Sequence, residues 1–190
     1  MLAVFPNYIE AFEILKKSSP SLDLLERSLR LAVVMRSFAV LRGHEELADG
    51  WASAGLFYHP DADSPIPVDE LRKAGANDGY LQLLTLTKAP AMAVTPTASQ
   101  ELSCLLTVLD PLMRIITELI HTKYSDPKSI KVSAVQKIFS DKKMLPQVSR
   151  QQILDGTHAL HWEIGDFTSK TLKAVCKNEP EIKAALKKLK

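Results

Sequence analysis

Apolar residues recur at intervals of three and four along most of the chain, and no stretch alternates with the period of a strand. The longest clear run is Leu24, Leu25, Leu29, Leu31, Ala32, Met35, Phe38 and Val40, which predicts a helix over residues 20–41. Between residues 31 and 41 the apolar positions cover most of the helix circumference, the mark of a helix buried inside a bundle. A second central helix is predicted over residues 98–121 from Leu102, Leu105, Leu106, Leu109, Leu112, Met113, Ile116, Leu119 and Ile120. Pro111 lies inside that pattern and predicts a kink or a break just before it.

Shorter patterns fill the rest. Pro6 opens a first helix carrying Tyr8, Phe12 and Leu15. A helix over residues 45–58 has Leu47, Trp51, Ala54, Gly55 and Phe57 on its inward side, and small residues at 52–55 would let another helix come close. Residues 68–74 form a short helix closed by Gly75, and Asn77 caps a further one running to Lys88. Val132, Val135, Ile138 and Phe139 mark another. The pattern over residues 149–177 is interrupted by Gly156 and Gly165, and Asn178 with Glu181 fits the cap of a last helix. Ser19 with Pro20, and Thr97 with Gln100, read as helix starts. The expected fold class is all-α.

Composition changes this picture little. With 190 residues, 46% hydrophobic and 24% charged, the chain is an ordinary globular one. Cys104 and Cys176 form no metal-binding spacing and sit in apolar helical patterns, which fits buried free thiols. No apolar run approaches the ~20 residues of a membrane span. The first residues carry Glu10 and Glu13 rather than a basic start, unlike a secretory signal. An intracellular, cytoplasmic setting without a membrane partner is expected. Charge is uneven: residues 1–122 hold 10 basic and 15 acidic side chains, and residues 123–190 hold 14 and 7. The boundary near residue 122 predicts a helical core followed by a basic helical part that packs on it, the two forming either separate units or one.

Recognisable chemistry is sparse. There is no Gly-rich phosphate loop, no nucleophile elbow and no zinc-protease motif. His158 and His161 are three apart and would share a helix face, where Glu163 or Asp166 could complete a metal site. Lys170, Lys173, Lys177, Lys183, Lys187, Lys188 and Lys190 are spaced along helix faces, with no aromatic residue among them to stack on a base.

The central stretch AGLFYHPDADSP, followed by DELRKAG and then LTLT, resembles the HD-domain family of metal-dependent phosphohydrolases, and within it the hydrolase domain of guanosine tetraphosphate enzymes. The resemblance covers roughly residues 25–120 and implies an HD-like helical bundle, extended here by C-terminal helices. In the gapless register Tyr58 takes the place of the motif His, and His59 that of its Asp. Ala62 and Asp63 fall on the family's acidic pair, Ser64 and Pro65 on its Thr-Pro, and Asp110 on the last metal-binding Asp. The upstream His has no counterpart around Ser28–Leu31.

Tyrosine does not replace histidine as a ligand of Mn or Mg, and a site short of two or three ligands loses most of its metal affinity. The resemblance therefore implies a domain that has lost hydrolysis, holds no metal, and binds a protein partner or a nucleotide. The expected cleft is lined by Arg36, Arg42, Tyr58, His59, Asp63 and Asp110. The alternative is an active phosphohydrolase with an altered site, in which His59 and Asp63 are catalytic and Mn or Mg sits among His59, Asp63 and Asp110, with His44 and Asp61 within the wider set. A second alternative is a helical scaffold or nucleic-acid-associated subunit that uses the basic C-terminal third.

Overall fold

The computed structural model describes residues 3–18, 20–60 and 66–187. Ser19, Asp61, Ala62, Asp63, Ser64, Pro65, Lys188 and Lys190, on which sequence expectations fell, lie outside the described residues. Among the described residues the structure is all-α, with nine α-helices, two 3-10 turns and no strand.

Two long helices form the centre. α2 (Leu22–Leu41) buries every residue from Leu31 to Met35, as its unbroken apolar run requires. It starts two residues later than the pattern suggests. Ser21, not Ser19, is its cap: the Ser21 hydroxyl accepts from the Leu24 N–H at 3.2 Å, and Asp23 sits in the positive first turn. α6 (Ala98–Thr122) begins with the expected capping box between Thr97 and Gln100. It then runs unbroken through Pro111, where a kink or break was expected. A mid-helix proline costs about 3 kcal/mol. Here Leu109, Leu112 and Met113 are all buried around it, and that packing holds the helix together.

α1 (Tyr8–Lys17) and α2 both pack on α3 (Ala48–Phe57), which a 3-10 turn precedes. The small residues of α3 serve the close approach anticipated for them. A Cβ added at Gly55 would lie 2.8 Å from the Ala32 Cα, so the two backbones are in contact at that point. α4 (Val68–Lys73) ends at Gly75, whose φ of +97° is the left-handed conformation that glycine adopts without strain. Asn77 then caps α5 (Asp78–Leu84).

The C-terminal part contributes α7 (Val132–Ser140), α8 (Arg150–Ala159) and α9 (Ile164–Lys187). Gly156 is not a helix break. It sits inside α8, where a Cβ would overlap Val108 of α6. The break falls at residues 160–163, where His161 has a φ of +58°. Asn178 does not cap a separate helix either. It lies within α9, which continues through Pro180, and its side chain donates to the Ala174 carbonyl at 2.8 Å. Val175, Ile182 and Leu186 are buried along one face of α9, so contact with the core carries the helix past the proline. Phe167 of α9 packs on Phe38 of α2 with ring centres 5.0 Å apart, and both belong to one apolar cluster spanning residues 11–186. Among the described residues no helix is long and apolar enough to cross a membrane.

Gly55 and Gly165 offer a contrast in the same substitution. Gly55→Ala drives a methyl into the α2 backbone and should destabilise the protein by about 1–3 kcal/mol. Gly165→Ala meets only the Gln136 amide, at 3.8 Å, and should stabilise by up to about 1 kcal/mol. Denaturant unfolding reads both, and equal effects would contradict the close α2–α3 contact.

Candidate functional site

Three helices bring polar side chains together in the apolar interior. Ser28 comes from α2, His59 from the residues just after α3, and Asp110 from the middle of α6. Pro60 ends the helical conformation behind His59 and turns the chain there. His59 Nε2 lies 2.6 Å from Ser28 Oγ and 3.1 Å from the Leu56 carbonyl. A carbonyl only accepts, so Nε2 carries the ring proton and shares it between the two oxygens. His59 Nδ1 faces Asp110 Oδ1 at 3.9 Å, beyond hydrogen-bond range.

Two guanidinium groups hold the same carboxylate. Arg114, one turn along α6, places Nη2 3.3 Å from Asp110 Oδ2, and Arg27 of α2 places Nε 3.9 Å from Oδ1. Burial pushes the His59 pKa below its ordinary value, and the Arg27 charge adds to this; the attraction of Asp110 does not offset them. The imidazole is therefore neutral at pH 7.

The order serine, histidine, aspartate has the outline of a hydrolytic triad, but the chemistry does not follow. Ser28 has no exposed surface, and the proton on His59 Nε2 points at Ser28 instead of leaving a lone pair to receive its proton. The described part of the donor set is short of ligands for a divalent cation. Among the described residues no three His, Cys, Asp or Glu side chains are placed to hold a metal ion, and the one carboxylate in this cluster already has two cations beside it.

The cluster opens to the surface beside Asp110. A cleft of about 180 Å³ is lined by Pro60, Asp110, Arg114, Thr87, Gln147 and Gln152, among others. A second hollow of about 440 Å³ shares Thr87, Ser149 and Gln152 with it and adds Lys88 and Asp155. The outer wall is the loop before α8. Arg150 fixes this loop by donating to the backbone carbonyls of Ile138, Phe139, Asp141, Met144, Leu145 and Val148.

The expected cleft residues thus separate. His59 and Asp110 meet. Tyr58 is wholly buried and donates from its hydroxyl to the Leu86 carbonyl at 2.5 Å. Arg36 lies eight residues from Ser28 along α2, about 12 Å at the helical rise. It pairs there with Asp49 at 3.0 Å and stacks on Tyr8. Arg42, at the far end of α2, binds Glu101 together with His44. Burial alone would raise the Glu101 pKa, but hydrogen bonds from Arg42 and His44 outweigh it and hold the carboxyl below its ordinary value. His158 and His161 do not share a helix face, because α8 ends at Ala159. Cys104 is buried and Cys176 half-buried, both as free thiols.

Sequence reasoning missed Ser28, Arg27 and Arg114 as members of the site. The available signals were the i, i+4 spacing of Asp110 and Arg114 and the place of Ser28 opposite the absent upstream His. Compared with known proteins, the chain matches no family model, no curated protein and no solved structure.

The neutral His59 has a consequence for stability. Its folded-state pKa lies below the unfolded value of about 6.5, so its contribution is complete above that pH and is lost as the pH falls below it. Glu26 and Glu101, both held low, act in a separate window below about 4.5. Unfolding free energy should therefore decline between pH 7 and pH 5. His59→Gln should flatten that decline, and an unchanged slope in the variant would contradict the assignment.

Proposed function

We propose that the chain is an HD-like helical domain that no longer hydrolyses and that binds a phosphate-bearing nucleotide in the cleft beside Asp110. The observation that carries this reading is the convergence of Ser28, His59 and Asp110. The resemblance gives metal-ligand positions to His59 and Asp110, and leaves the upstream His without a counterpart in the stretch that holds Ser28. Here the three residues bear a hydroxyl, a neutral imidazole and a carboxylate, and Arg27 and Arg114 supply the positive charge beside Asp110. Hydrolysis through Mn or Mg needs several anionic or imidazole ligands on one ion. Among the described residues the donors fall short of that.

The cleft supports the binding half of the reading. Thr87, Gln147, Ser149 and Gln152 offer donors and acceptors, while Arg114 and Lys88 bring cations to the inner and outer hollows. The two hollows share walls and together have the size of a small-molecule site. A planar base with a charged phosphate group matches that mixture better than an apolar ligand does.

Titration calorimetry with ADP and GTP in the absence of divalent cations tests this. Saturable binding should appear, and Lys88→Gln should weaken it by roughly threefold to tenfold by removing an exposed charge. No phosphate should be released when Mn is added. Mn-dependent turnover that disappears in His59→Ala would overturn the loss of hydrolysis. Absence of binding at millimolar nucleotide would overturn the ligand.

A further inference from the structure

We infer that the groove between α2 and α9 is a docking surface for an acidic, amphipathic helix of a partner protein. This groove is separate from the Asp110 cleft and shares no lining residue with it. It has a volume of about 340 Å³ and an apolar floor of Phe38 and Ala174. Val40 and Leu41 rise on one side, 47% and 45% exposed, among the few large apolar residues on this surface. Lys170, Lys173 and Lys177 line the other side, and Arg36 stands on the α2 wall.

The charge arrangement selects the occupant. The three lysines follow an i, i+3, i+7 spacing and therefore form one stripe, about 10.5 Å long at the helical rise. No carboxylate is among the residues lining the groove. Asp49 is paired with Arg36, and Asp166 and Glu181 of α9 stand one turn beyond the two ends of the stripe. Glu179, further along α9, is engaged by Arg30 and Lys183. The stripe consequently repels itself, and carboxylates spaced along a facing helix would relieve that repulsion while apolar residues of the same helix cover Val40 and Leu41. A single anionic head group would use one end of the stripe and leave the rest. Nucleic acid would use the charge, but Phe38, the aromatic side chain in the groove, is buried and presents no face for stacking.

Selection of displayed random peptides of about 16 residues, long enough for four helical turns, on the immobilised 190-residue chain tests the proposal. Enriched peptides should carry Asp or Glu at helical spacing beside Leu, Ile or Phe. Their affinity should fall about tenfold in Lys173→Glu and in Val40→Asp, and should weaken as salt is raised. Both positions are exposed, and circular dichroism of each variant establishes that the fold is retained. Enrichment of basic or uncharged peptides, no enrichment, or binding indifferent to both substitutions would overturn the proposal. So would tighter binding of a single-stranded RNA or of phosphatidylglycerol vesicles through the same lysines. Self-association that sedimentation shows to be lost in Lys173→Glu would also overturn it, by giving the groove to a second copy.

Discussion

A carboxylate at the centre of a helical bundle must be neutralised by something, and the arrangement around Asp110 follows from that need. Burying an unpaired charge is among the most unfavourable things a fold can do. Here Arg27 and Arg114 approach the carboxylate from two helices, and His59 stands on its third side. His59 in turn is held by Ser28 and by the last turn of α3. The charge thereby ties α2 to α6, and the contact between Ser28 and His59 adds the end of α3. The close contact of Gly55 with Ala32 and the passage of α6 through Pro111 belong to the same region, where side-chain packing leaves little freedom.

The second constraint is that the apolar faces of α2 and α6 are too extensive to be covered by α1, α3 and α5 alone. α8 covers one side of α6, coming near enough that Gly156 can carry no side chain. α9 covers α2, with Phe167 packed on Phe38. The basic C-terminal helices therefore bury apolar surface of the acidic N-terminal part, and their lysines are left on the outside. Charge asymmetry in the sequence becomes a cationic stripe beside an exposed apolar edge. The loop that Arg150 gathers becomes the wall of the Asp110 cleft.

The helices were legible because their apolar spacing is regular, and the capping box at Thr97 and the turn at Gly75 were legible because their residue types leave few alternatives. The errors came where tertiary contact outweighs a local signal. Pro111 does not break its helix, since buried neighbours on both sides hold the helical path. Gly156 reads as an interruption but answers to Val108, a residue 48 positions away. Asn178 reads as a cap but bonds backward within α9. Of the Asp110 cluster, one pair was legible. His59 and Asp110 could be named from the resemblance. Arg27 and Arg114 could not, because charged residues on amphipathic helices are common and only the fold turns these two toward one carboxylate.

The central claim rests on the proposed loss of the metal site: the side chains around Asp110 hold the three helical segments together without an ion. Denaturant unfolding of the chelator-treated protein, repeated in millimolar Mn, tests it most directly. A native state that binds Mn at one hundredth of that concentration would gain about 2.7 kcal/mol. The account predicts the same unfolding free energy with and without the ion. A gain of that size, lost again in Asp110→Asn, would contradict it.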